Sequence, residues 1–302
     1  MEKTRKSFLR TTSLVNPRTA IVSTLPALIS IVLLGMLPAI VNLVISFTDY
    51  HGLGQPYEFV GFTNYIKAFS FRMSSITIWS ALKNTLIFSF FVVLIQQPIS
   101  LLVALILSRK FKGRSFFRAL FFMPTILGIS VVGFMWQLVF DPVSGPVAVI
   151  LNQMNITSAL LGDDSVAMGL VIFVTIWANF GYAMVIYIAG IQGIPADIKE
   201  AAIVDGVTPI QMFFRIILPL LKNTLVINYW ISISGTLAMF DIIFVLTNGT
   251  ANTCTFALFF FNLATSSSAN QGQAAALNIY FSLFVTTIML VFNFLFRRKE
   301  KD

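Results

Sequence analysis

Apolar runs of roughly 20 residues, the length that crosses about 30 Å of hydrocarbon, recur along this chain between short polar stretches. Six can be placed, at 21–47, 84–107, 116–140, 166–192, 224–247 and 274–296. They predict an all-α integral membrane protein with six transmembrane helices. A segment 1–20 precedes the membrane domain (21–296), and a tail, 297–302, follows it. The first apolar run is too long for a signal-peptide core, so no cleavable leader is expected and this run is read as a span.

The stretches between spans differ in pattern. In 48–82, Phe59, Phe62, Tyr65, Ile66 and Phe69 fall at helical spacings, which predicts a short helix in the membrane interface. Residues 248–273 read as a polar outer loop that includes Ser266, Ser267 and Ser268. Residues 193–222 are different again. Asp197 followed by Glu200 resembles a capping box, and Gly206 stands where a left-handed residue would end the helix. Thr208-Pro209-x-Gln211 then starts a second helix with proline in its first turn. That predicts a helix–turn–helix knob running to Pro219.

Composition agrees with the spans. Only 11% of residues are charged and the mean hydropathy is +0.86, where a soluble chain carries roughly 25% charged residues. A net charge of +8 would suggest a nucleic-acid partner in a soluble protein, but its placement argues otherwise. Seventeen of the twenty Lys and Arg fall in four places: before the first span (Lys3, Arg5, Lys6, Arg10, Arg18), at 109–118, at 199–222 and in the tail. The connections 141–165 and 248–273 carry none. The positive-inside rule therefore predicts a multi-pass membrane protein with both termini and the knob in the cytoplasm, and with no nucleic-acid partner.

Candidate chemistry is sparse. One cysteine, Cys254, and one histidine, His51, leave no disulfide and argue against a metal site. Phosphate-binding, dinucleotide, zinc-protease and serine-hydrolase motifs are absent. No catalytic residue and no bound cofactor are expected, so energy must come from a partner or an ion gradient.

At this point the sequence resembles a known family. Glu200-Ala201-Ala202, Gly206 and Ile216-x-Leu218-Pro219 reproduce the signature loop of binding-protein-dependent ABC importer permeases. The full string from Glu200 to Leu221 is similar to the carbohydrate-uptake branch, the maltose and glycerol-phosphate types. Further landmarks are Phe59-Val60-Gly61-Phe62-x-Asn64-Tyr65, Asn84-Thr85-Leu86, Phe117-Arg118-Ala119, Met123-Pro124, Trp136-x-x-x-Phe140 and Phe240-Asp241. One departure is Asn248-Gly249-Thr250-Ala251, where the family often has Gly-Gly-Pro after the threonine.

The resemblance implies a type I ABC importer permease fold with a cytoplasmic coupling helix, in a bacterial or archaeal cell membrane. It also implies a sugar or oligosaccharide cargo delivered by an extracytoplasmic binding protein, a second homologous permease, and an ATPase dimer that binds the ATP and magnesium. Glu200, Ala201, Ala202, Asp205, Gly206 and Pro219 would form the ATPase-coupling element. Thr125, Asn179, Tyr182, Thr236 and Met239 align with positions that line the sugar path. Asp241, the one acidic residue in a predicted span, is a further path candidate because an intramembrane charge needs a polar cavity or a partner. Each of these has a packing alternative, with Asn179 and Thr236 as interhelical hydrogen-bonding residues. A permease for another solute shares the core loop. A secondary transporter would show inverted repeats or several ionisable residues within spans, and neither is evident.

Overall fold

The computed structural model describes residues 17–52, 54–70, 72–73, 76–266 and 270–297. The basic residues Lys3, Arg5, Lys6 and Arg10, the tail from Arg298 onward, and Ser267 and Ser268 lie outside them. The chain divides into two compact units, Met1–Ala68 with Ser268–Ile279, and Phe69–Ser267 with Tyr280–Asp302.

In the first unit, α1 (Pro17–Ser30) continues through a π-helical turn, Ile31–Met36, into α2 (Leu37–Ile45). Pro38 has no N–H for the carbonyl one turn back, which accounts for the widening there. The stretch Val22–Ile45 is apolar on every side and none of it is buried within the chain, as suits a helix whose solvent is the bilayer. The predicted interfacial helix is shorter than its aromatic spacing implies. Gly61 takes φ +58, so α3 covers only Thr63–Ala68, and Phe59 instead bridges to Thr48. What fixes this segment is Asn64, almost fully buried, whose Nδ2 donates to the carbonyls of Ser46 (2.9 Å) and Thr48 (2.7 Å). Phe47 packs among the rings of Phe62 and Tyr65.

The second unit opens with a two-residue hairpin, β1 (Arg72–Met73) and β2 (Ile76–Thr77). Next comes α4 (Ile78–Ser108), capped reciprocally by Thr77 and Ser80. It packs along α8 (Ala167–Gln192) through buried apolar residues such as Phe88, Val92 and Ala104 on one helix and Val174, Ala178 and Met184 on the other. Between them lie α5 (Arg114–Ile126), α6 (Ile129–Val139) and α7 (Pro146–Gln153). The expected straight span at 116–140 is a bent pair: α5 and α6 meet at 95°. Pro124 removes a donor near the end of α5, and Leu127 and Gly128 are extended. A Cβ on Gly181 of α8 would fall 2.2 Å from the Phe121 carbonyl oxygen, so α5 and α8 touch backbone to backbone.

The predicted span 224–247 is also broken. Helix α12 (Lys222–Leu237) stops, and a separate α13 (Asp241–Thr247) begins after Phe240, which has φ −133. Asp241 therefore sits exposed in the first turn of a helix, where a carboxylate meets the positive end of the dipole. The expected loop at 248–273 contains α14 (Phe256–Thr265). This helix is too short to span, and its face Phe256, Leu258, Phe259 and Leu263 is buried. The last helix is α15 (Gln271–Arg297). Among the described residues four helices are long and apolar enough to cross a membrane, or up to six if each of two bent pairs is one span.

Candidate functional site

The loop 193–222 begins where α8 ends. Helix α9 (Ala196–Val204) is capped by Pro195, and no side chain caps its N-terminus. The expected Asp197–Glu200 capping box is not formed. With Pro195 as the cap, the helix starts two residues earlier, and Asp197 falls in its first turn rather than at its boundary. In that first turn a negative charge suits the positive end of the helix dipole.

At the other end, the amide of Gly206 (φ +73) donates to Ile203 O and that of Val207 to Ala202 O, both at 3.0 Å. This pair of bonds is the left-handed termination that glycine allows. Thr208 and Gln211 then cap each other, Gln211 N donating to Thr208 Oγ1 and Thr208 N to Gln211 Oε1. The second arm comprises α10 (Pro209–Gln211), a π-helical stretch Met212–Ile217 and α11 (Leu218–Leu220). Pro219, with no N–H for Arg215, lies directly after the π stretch. The arm meets α12 at 71°.

The knob is anchored on one side and open on the other. Leu221 is buried with Leu107, Met184, Tyr187 and Ile191, and Lys199 Nζ donates to Ile191 O at 2.9 Å. That cation sits at the C-terminal end of α8, where the dipole favours it. In α9 only Ala202 is buried. Glu200, Ala201, Asp205 and Gly206 are exposed, as is Pro219 on the second arm. Beside them Ile203, Val204, Ile210 and Phe214 are 61% exposed or more. This two-helix projection therefore shows carboxylates and large apolar side chains together.

The path candidates do not gather around one point. Thr125 Oγ1 donates to Ala178 O at 2.9 Å, across the α5–α8 seam and next to Asn179. Asn179 Nδ2 bonds back to Thr175 O at 2.9 Å, and Tyr182 lies exposed on the same side of α8. Thr236 is buried, shares a 2.7 Å hydrogen bond with Ser89 on α4 and donates back to Ser232 O. Met239 is half-buried in the break between α12 and α13. Trp136 and Trp177 pack against each other with centroids 5.5 Å apart.

Sequence reasoning missed a buried polar cluster joining α4, α8 and α12. Gln97 takes the Tyr187 hydroxyl on Oε1 and gives Nε2 to the Ser232 hydroxyl, while Asn228 Nδ2 donates to Ala183 O at 2.9 Å. The only available signal was two consecutive glutamines, Gln96-Gln97, inside an apolar run. Gln97→Leu is expected to lower stability by about 1–3 kcal/mol by stranding two buried hydroxyls, read as a lower unfolding midpoint in detergent. Tyr187→Phe should add little on top of it, since the two share one interaction.

The chain thus combines apolar helices long enough to cross a membrane with an exposed two-helix projection at 193–222. Residues 96–301 match the family described as binding-protein-dependent transport system inner membrane component. This chain belongs to that family. It is 29% identical over 270 residues to the probable starch degradation products transport system permease protein of Thermoanaerobacterium thermosulfurigenes, covering 88% of this chain and 90% of that one. It is 32% identical over 237 residues to a probable ABC transporter permease protein of Pyrococcus horikoshii, covering 78% and 80%. It shares its fold with a chain in the crystal structure of a bacterial alginate ABC transporter in complex with an alginate pentasaccharide-bound periplasmic protein (TM-score 0.80, 23% identity, 92% and 94% covered).

Proposed function

We propose that this chain is one of two homologous membrane-spanning permease subunits of an ATP-driven importer. An extracytoplasmic binding protein delivers a sugar or oligosaccharide, and a cytoplasmic ATPase pair drives the cycle. The observation that carries this reading is the knob at 193–222, rigidly terminated at both helices yet exposing Glu200, Asp205, Val204 and Ile210. The basic residues at 109–118 and 199–222 support a cytoplasmic position for that knob, where an ATPase can reach it.

Because the chain carries no nucleotide-binding motif, an ATP-dependent bias between its inward- and outward-open states must enter through contact with a partner. Ala202 and Lys199 hold the knob to the bundle, so a push on Glu200 and Val204 moves the cytoplasmic end of α8. That helix carries Asn179 and Tyr182 on one side, and they remain the candidates for contact with the passing solute, together with Thr125, Thr236, Met239 and Asp241. The carbohydrate assignment is supported by relatives whose names refer to starch products and by the alginate transporter fold.

The test is affinity purification of the tagged chain from its native host, followed by ATPase assays in proteoliposomes. The reading predicts recovery of an ATPase and a second permease. It also predicts hydrolysis stimulated by a binding protein loaded with an oligosaccharide. Purification of the chain alone, with gradient-driven uptake and no ATP dependence, would support a secondary transporter instead.

A further inference from the structure

Behind the knob lies a cavity of about 480 Å³, enclosed by the ends of α4 and α8, by α9 and by the second arm. It opens beside the exposed face of α9 that carries Glu200 and shares Ile203 with it. Its walls are mainly apolar, with Leu105, Ile191, Phe213 and Ile217 among them, and two cations, Arg109 and Lys199, also line it. Ser108 is the last residue of α4 and Gln192 the last of α8. With 31 residues α4 is about 46 Å long, so its end reaches the headgroup side of a bilayer about 40–45 Å thick overall.

Neither cation is neutralised. Arg109 is exposed and its guanidinium has no hydrogen bond or ion pair among the described residues, and the Lys199 ammonium is bonded only to a carbonyl. Lys110 and Lys112 follow Arg109 directly, and both are exposed. An apolar recess with a doubly cationic lining at a bilayer boundary matches an amphiphile with one negative charge. We infer that this cavity binds an anionic phospholipid. Its phosphodiester lies between the Arg109 guanidinium, which can offer paired N–H donors, and the Lys199 ammonium. One acyl chain enters along Leu105 and Ile217. A free anion would satisfy the cations but leave the apolar walls unfilled, and a zwitterionic lipid would bring its own cation to an already basic site.

The inference requires only that the chain spans a bilayer; it depends neither on the ATPase nor on the cargo. The test uses the full chain in phosphatidylcholine nanodiscs doped with photoactivatable phosphatidylglycerol or photoactivatable phosphatidylcholine, with labelled peptides mapped by mass spectrometry. Phosphatidylglycerol should label the peptides around Leu105 and Phe213 about tenfold more than phosphatidylcholine does, the preference expected of two interfacial cations. Labelling near the exposed Leu290 and Val291 of α15 should be equal for both probes. Arg109→Gln with Lys199→Gln should abolish the preference, and Leu105→Trp, which fills the recess without touching charge, should abolish the labelling. Equal labelling by the two probes, or a preference that survives the double substitution, would overturn the inference. So would loss of labelling on adding soluble glycerophosphate, which would mark a site for a free anion.

Discussion

Glu200→Lys is expected to leave the chain inserted and folded while cutting binding-protein-dependent transport at least roughly 30-fold. The fold should not notice the change, because Glu200 is exposed and makes no hydrogen bond or ion pair among the described residues. Substitutions of that kind usually fall within about 0.5 kcal/mol. Its cost appears only in the assembly. Truncating one partner of a buried charge pair at an interface costs about 2–5 kcal/mol, which is about 30-fold to several thousand-fold in affinity. Gly206→Pro should act through shape instead. The turn needs φ +73 and a donated amide to Ile203, and proline, locked near φ −65 and lacking the N–H, supplies neither. Uptake of labelled sugar and retention of the ATPase on the tagged chain measure both effects. Normal uptake by either variant would remove the knob from the mechanism.

Gly181→Leu should do the opposite, destroying the fold rather than the coupling. Even the first side-chain carbon would stand 2.2 Å from the Phe121 carbonyl oxygen, with two more Phe121 and Phe122 backbone atoms at 3.0 Å. Backbone cannot swing aside as a side-chain tip can, so α5 and α8 must separate. That would break the adjacent Thr125–Ala178 hydrogen bond. Overpacking of this severity costs about 3 kcal/mol or more, expected as a large fall in the thermal midpoint in detergent. Gly169→Ala on the same helix is the control. Its added carbon meets nothing within 4 Å, and alanine favours a helix over glycine by about 1 kcal/mol, so its midpoint should hold or rise.

The two positions differ in how visible they were beforehand. The turn at Gly206 and the Thr208–Gln211 cap are local chemistry, written within a few residues, and both were legible in the sequence. Asp197 was misread by two positions because a proline cap at Pro195 leaves no side-chain signature. The clash at Gly181 depends on Phe121, distant in sequence, and the Gln97–Tyr187–Ser232 cluster joins three helices. Periodicity carries no information about such pairings. The break at Ala238–Phe240 was hidden because the run stays apolar and contains no proline. Helix α14 was hidden by the polar residues on either side of it. Among the described residues length and hydropathy give four spans, and up to six if each bent pair is one span, so the expected six stands at the upper end of that range. The grouping of Thr125, Asn179, Tyr182 and Thr236 into one solute path was not legible. Thr236 turns toward Ser89, while Tyr182 lies exposed.

The central claim is that the knob at 193–222 seats in a cytoplasmic ATPase. Because the sole native cysteine, Cys254, is buried, a benzophenone maleimide attached at Ala201→Cys reports from the knob alone. On illumination in native membranes the account predicts one major covalent adduct, between this chain and an ATPase subunit. A folded, inserted protein whose position 201 is labelled from the outer side of the membrane, or which forms adducts with no ATPase, would contradict it.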